Sequence, residues 1–188
     1  MDTTIFIRVK NYDDLIEANL LYLNGKIQQT PYIDGSLDFE TEPLIPKLKI
    51  LHSYGVLTID SQPALMDPDL RQKSYLEGYV EDHANFIKIF DKIAAREKSF
   101  RYQILTKNNH KLTTNFQELR SPLTEEFVDN KWEIFSRSWS FIDIDDEVFI
   151  QYPNIESFIK YCGHFLIFID AFEENSVIEL LLGELQSI

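Results

Sequence analysis

The sequence predicts a mixed α/β or α+β fold: one domain, residues 1–188, with a mixed β-sheet flanked by helices. Three observations predict it. Helical periodicity and short apolar, strand-like runs alternate along the chain, which is the pattern of stacked sheet and helix layers. The 6 Gly and 7 Pro fall between those segments, where turns need them. A hydrophobic fraction of 44% and an aromatic fraction of 13% supply a core and exclude a disordered chain. A length of 188 residues suits one domain, and no repeat, low-complexity tract or linker divides it.

The elements follow in order. "TIFIRV" (4–9) places Ile5, Ile7 and Val9 on one face and reads as a strand. Asn11 caps a helix with Asp13 and Asp14 in its first turn, where the helix dipole favours acids. Leu15, Ile16, Leu20 and Leu23 form its stripe, and Gly25 ends it. Residues 28–42 form a loop. Pro43 and Pro46 belong in a first helical turn, with Leu44, Leu48 and Leu51 buried and Gly55 as the stop. "VLTID" (56–60) follows as a buried strand, 61–71 as a loop, and "SYLEGYV" (74–80) as a second strand. Asp82 caps a helix carrying Phe86, Ile87, Phe90 and Ile93, and "FRYQIL" (100–105) closes a βαβ unit over about 74–105 with parallel strands.

The second half is less regular. Residues 107–131 are polar, with a weak strand signal in "HKLTTNF". "WEIFSRSWSFI" (132–142) and "VFIQY" (148–152) read as a C-terminal antiparallel hairpin across "DIDDE". Asn154 caps a short helix, "FLIFIDAF" is a buried strand, and "SVIELLLGELQSI" is an amphipathic helix capped by Asn175 or Ser176.

Charge and cysteine content narrow the function classes. Thirty-one acids against 18 bases leave a net charge of −13, which repels nucleic-acid phosphates and anionic membranes. Arg96, Lys98, Arg101, Lys107 and Lys111 form no basic run. A single cysteine, Cys162, excludes an intrachain disulfide framework and points to a reducing compartment. The N-terminus has no secretory pattern, and "HFLIFIDAF" is too short to span a bilayer. The expectation is a soluble cytoplasmic protein that binds neither nucleic acid nor membrane.

The most distinctive stretch is "GVLTIDSQPALMDPDLRQKSYLEGYV" (55–80). In open α/β sheets, ligands bind beyond the carboxyl ends of strands, where Thr58, Asp60, Ser61 and Gln62 would sit. Val56, Thr58 and Asp60 are expected to point the same way. Ser61 lies outside a G-x-S-x-G elbow and has no sequence-evident base. Gln72 follows the loop. Tyr75, Glu77 and Tyr79 share a strand face, with Gly78 opposite for a close approach. For the loop, a plain turn competes with a ligand contact; for Tyr75 and Glu77, the solvated face of an edge strand competes with a ligand anchor.

Two further groups carry oxygen, sulfur or nitrogen ligands. Asp143, Asp145, Asp146 and Glu147 match an acidic turn, do not match an EF-hand, and leave a divalent metal open. Cys162 and His164 flank Gly163, but His52, His83 and His110 are scattered, so no zinc set is assembled. There is no phosphate loop, H-E-x-x-H or C-x-x-C, and no metal or cofactor is expected.

Residues 30–80 also carry a pattern of fixed residues: Thr30, Pro31 and Tyr32; Thr41 and Leu44; Gly55 and Thr58; Ser61, Gln62 and Pro63; Gln72; Glu77 and Gly78. In these it resembles an uncharacterised protein family of giant DNA viruses of amoebae and, more distantly, actinobacterial proteins. The resemblance covers a little over a quarter of the chain. It implies a viral setting, hence the host-cell cytoplasm, and no particular activity. The expected function is binding of a small molecule or peptide at a pocket built from Thr58, Asp60, Ser61, Gln62, Gln72, Tyr75 and Glu77, with the Tyr32–Glu40 segment lying over it. The alternatives are an acidic module that docks a basic protein partner, and a hydrolase or transferase using Asp60 or Glu77 as base. Oligomeric state is open.

Overall fold

Two antiparallel sheets organise the chain, and the larger one is sandwiched between helices. The computed structural model describes residues 4–33, 35–37, 39–106, 111–116, 124–136, 151–173 and 176–187. The five-stranded sheet has the order β1 (Val56–Gln62), β4 (Tyr75–Val80), β9 (Gly163–Ile169), β5 (Phe100–Thr106), β6 (Lys111–Thr114). The smaller sheet has the order β2 (Leu65–Met66), β3 (Leu70–Gln72), β7 (Thr124–Val128), β8 (Lys131–Ser136). Six helices accompany them among the described residues: α1 (Thr4–Ile7), α2 (Tyr12–Leu23), α3 (Ile45–Ser53), α4 (His83–Arg96), α5 (Pro153–Ile159) and α6 (Val177–Leu185). A 3-10 turn, Glu42–Leu44, leads into α3.

Each face of the large sheet has its own core. On one face Val56, Val80, Ile104 and Ile167 pack with Leu48 of α3, Phe90 of α4 and Leu181 of α6. On the other, Leu57, Ile59 and Tyr79 pack with Phe6, Leu15 and Ile155, from α1, α2 and α5. Burial on both faces explains why β9 is apolar at nearly every position: all seven of its residues are buried.

The expected helix caps are present on α2 and α4. The Asn11 side chain accepts from the Asp14 amide, and Asp82 accepts from Asn85. The βαβ unit is present as β4–α4–β5, and its two strands run in the same direction. They are not neighbours, because β9 lies antiparallel between them. A strand this apolar is stabilised most at the sheet centre, with a partner on each side. Every strand pairing among the described residues is antiparallel.

Four expectations need correction. "TIFIRV" is helical at 4–7, not a strand: Phe6 is fully buried and Ile7 is 62% exposed, so the alternation is not used. The Asn154 side-chain amide donates to the carbonyls of Phe6 (3.0 Å) and Val9 (2.6 Å), which stand outside any ladder. Asn154 therefore anchors the N-terminal segment and does not cap α5, whose cap residue is Tyr152. Residues 61–71 are not simply a loop. β1 runs on to Gln62, and β2 and β3 form a hairpin whose turn holds Asp67, Pro68 and Asp69, closed by Asp67 N–H donating to Leu70 O (2.9 Å). Finally, residues 107–131, expected to be polar with a weak strand signal only in "HKLTTNF", also hold β7, which pairs with β8 across Asp129 and Asn130, both at positive φ (51° and 64°), the geometry a two-residue hairpin demands. The expected partner strand (148–152) lies mostly outside the described residues, as do Asp143, Asp145, Asp146 and Glu147.

Candidate functional site

The site begins with an irregularity in β1. Along the β1–β4 ladder, Val56 faces Val80, Leu57 faces Tyr79 and Thr58 faces Gly78, but the next partner of Glu77 is Asp60. Ile59 is the extra residue of a bulge, and such bulges re-aim the side chains that follow. Thr58 and Asp60 therefore belong to different sheet faces, contrary to the simple alternation expected. Asp60 joins the face of Tyr75, whose hydroxyl donates to Asp60 Oδ2 at 2.6 Å.

β1 is the outer strand of the sheet, so a space beside it takes residues from both faces. That space is a cavity of about 290 Å³ between β1, α2, α3 and the 32–41 loop. β1 supplies Thr58, Ile59, Asp60 and Ser61. α2 supplies Asn19, Tyr22 and Leu23, and α3 supplies Leu48 and His52. The loop closes it with Tyr32, Ile33, Ser36, Leu37 and Thr41, as the expected cover does.

Hydrogen bonds hold the cover in place. The Tyr32 hydroxyl donates to Asn19 Oδ1 at 2.6 Å, and Asn19 Nδ2 donates to Leu15 O at 2.8 Å. The Tyr22 hydroxyl donates to Gly35 O at 3.1 Å. Thr30 and Ile33 close a one-bridge turn, with Ile33 N–H also donating to Thr30 Oγ1 at 3.0 Å. Gly35 sits at φ 100°, a conformation that glycine takes without steric cost.

His52 forms part of the wall as a neutral imidazole. Its Nε2 accepts from the Thr58 amide (3.2 Å) and lies 2.9 Å from the Thr58 hydroxyl, which leaves the proton on Nδ1. Burial lowers its pKa to about 4, against the opposing pull of the Ile16 backbone. The Tyr75 phenol is pushed far up, first by burial, then by the charge and hydrogen bond of Asp60, and further by Glu77 and Glu40.

The remaining expected residues serve elsewhere. Gln62 faces Tyr75 in the ladder and does not line the cavity. Gln72 is buried and donates to Pro63 O at 2.9 Å, tying the end of β3 to the start of the β2–β3 hairpin. Glu77 is not on a solvated edge: β4 lies between β1 and β9, and Glu77 is 2% exposed. Its Oε1 lies 2.6 Å from Nε2 of the equally buried His164, whose ring stacks on Tyr79 with centroids 4.3 Å apart. Glu77 is thus part of a buried pair within the sheet and is not among the described residues that line the cavity. Cys162 and His164 have separate partners, since the Cys162 thiol points to Phe158 O. Burial, then Glu81, raises the Cys162 pKa to about 12, so it stays a thiol.

Of the seven expected residues, Thr58, Asp60 and Ser61 converge on the cavity. Asn19, Tyr22 and His52 were not anticipated. Their signal was polarity at core spacing: Asn19 stands four residues after Leu15 and three after Ile16, inside the apolar stripe of α2. Four residues of the quoted pattern, Tyr32, Thr41, Thr58 and Ser61, also line the cavity. Among the described residues no group of three or more His, Cys, Asp or Glu side chains is placed to hold a metal ion. No helix among them is long and apolar enough to cross a membrane.

None of the curated proteins matches the chain. The sequence profile of a domain of unknown function, DUF6919, matches residues 2–101, which include every described residue that lines the cavity. The match spans more than half of the 188 residues, and the chain belongs to the DUF6919 family.

Proposed function

We propose that this protein binds a compact polar small molecule in the cavity beside β1, as a binding module and not as a catalyst. One observation carries the reading: a cavity of about 290 Å³ is covered by a loop that hydrogen bonds fasten to α2. That volume stands near the lower end of the range for ligand pockets, roughly 300–1,000 Å³. Its polar groups are spread over three walls, so a ligand would be read by hydrogen bonds from several directions. The chemistry favours binding over reaction. His52 uses Nε2 on Thr58 and is neutral, so it gives Ser61 no general base. Glu77, the other candidate base, is locked to His164 inside the sheet.

The resemblance of residues 30–80 to giant-virus proteins supports a viral setting, with the ligand met in the host cytoplasm. The test is a thermal-shift screen of nucleosides, sugars, amino acids and amines, repeated on Ser36→Trp, a change on the exposed loop that fills the cavity mouth. A ligand at about one hundred times its dissociation constant adds ~2.7 kcal/mol. We expect a raised melting temperature for the parent protein and no shift for Ser36→Trp. Equal shifts in both proteins would place binding elsewhere and end this reading.

A further inference from the structure

We infer that the polar group held in this cavity is the head of an amphiphile, whose short apolar arm, an alkyl or acyl chain, lies in the groove on the outer side of the cover loop. The inference rests on the pocket reading above and adds the second half of the ligand. The groove, about 540 Å³, runs between the end of α2, the turn at 24–28, the cover loop and the start of α3. It meets the cavity along a seam: Tyr22 and Leu23 of α2, and Ser36 and Leu37 of the loop, wall both spaces. The Tyr22 hydroxyl spans that seam, donating to Gly35 O at 3.1 Å. The two spaces are thus neighbours across one helix end and one loop.

The chemistry of the two walls sets the class of ligand. In the cavity, Asn19, Thr41, Thr58 and Ser61 bring amide and hydroxyl groups to a polar head. The groove is floored by Leu23, Ile27, Leu37 and Ile45. Leu23 is buried, whereas Ile27, Leu37 and Ile45 pack against the cores only in part and keep apolar surface exposed. Exposed Gln28 and Glu42 stand at the rim. Apolar surface bounded by polar residues is the character of a binding groove. A cavity of about 290 Å³ holds only a small head, and the groove, nearly twice as large, offers the apolar contact by which a longer molecule gains affinity. The shared walls decide the occupant. An arm joined to a seated head enters the groove as an intramolecular event, whereas a separate molecule would lose its own translational and rotational freedom.

The test uses the methyl, butyl and hexyl members of three neutral families: β-glucosides, glycerol ethers and N-alkylureas. Binding is measured by titration calorimetry on the parent protein and on Ser36→Trp, Gln28→Trp and Ile45→Ala. Ser36 walls both spaces, whereas Gln28 and Ile45 wall the groove alone. Melting temperatures without probe check that each variant folds. In at least one family we expect affinity to rise about two- to fourfold per methylene, so that the hexyl member binds at least about tenfold more tightly than the methyl member. Gln28→Trp should bring the hexyl member down to the methyl level and leave the methyl member unchanged. Ile45→Ala should weaken the hexyl member alone, and Ser36→Trp should abolish binding of both. If methyl and hexyl members bind equally and both are lost in Ser36→Trp, the pocket stands and the inference of an arm falls. If the gain with chain length survives in Gln28→Trp and Ile45→Ala, the arm lies elsewhere and the inference falls. If no member of any family binds at about 10 mM, the amphiphile inference falls, and the pocket reading is judged by its own screen.

Discussion

Gly78 shows how much one missing side chain decides in this sheet. A Cβ at this position would overlap the carbonyl oxygen of Leu57 and stand 3.0 Å from the Phe165 ring. Neither neighbour can yield, because one is backbone in the adjoining strand and the other is fully buried. Gly78→Ala should lower the unfolding free energy by about 3 kcal/mol in urea titrations. Gly183 is the contrasting case, an exposed position inside α6 with nothing near an added Cβ. Gly183→Ala should stabilise the protein by about 0.5–1 kcal/mol, because alanine gives up less backbone freedom in a helix. His52 adds a pH dependence at the same scale. Its folded pKa, about 4, lies below the ordinary value of 6.5, so the unfolded chain binds a proton at pH values where the folded one does not. Stability from this residue is complete above the unfolded pKa and is lost as pH falls from about 6.5 to about 4, by about 3 kcal/mol. Denaturant titrations across that window should show the loss in the parent protein and a shallower slope in His52→Gln.

The cover loop is the element on which the cavity depends. It has little regular structure, so its position rests on hydrogen bonds to α2 and to itself. Tyr32→Phe removes the bond to Asn19 Oδ1 and leaves that buried amide oxygen without its phenolic donor. The expected cost is about 1 kcal/mol in stability, with faster amide exchange across 30–41 and unchanged exchange in β4 and β9. Uniform acceleration across both regions would mean that the loop does not open independently of the sheet. At the same scale, the β2–β3 hairpin resolves the odd run of polar and proline residues after β1. Asp67, Pro68 and Asp69 make a turn, Gln72 ties the hairpin to Pro63, and the hairpin supplies one outer strand of the second sheet, β2, and its neighbour β3. A sequence that reads as a loop of unusual length is explained by two short strands whose partner, β7, lies over fifty residues away.

At the scale of the whole molecule, the two cores on opposite faces of one sheet tie its stability together. Cys162 reports on that coupling. It is buried in the core under α5, and its raised pKa keeps it protonated. Alkylation near pH 8 should be at least about a thousandfold slower than in denaturant, with a rate set by global opening. A fast reaction would show that α5 detaches alone.

The sequence by itself determined the fold class, the caps at Asn11 and Asp82, the strands at 56–60, 74–80 and 100–105, and the loop end where Thr58, Asp60 and Ser61 meet the cavity. Those features depend on neighbours within a few residues, through periodicity, turn chemistry and capping. Tertiary structure alone decided the rest. "TIFIRV" is helical at 4–7 and is anchored by Asn154, nearly 150 residues away, a partner that local periodicity cannot reveal. The insertion of β9 between β4 and β5 depended on which strand gains most from two buried faces. The side of the sheet that Asp60 joins depended on one bulged residue, because a single extra residue in a two-residue repeat reverses the faces of those that follow.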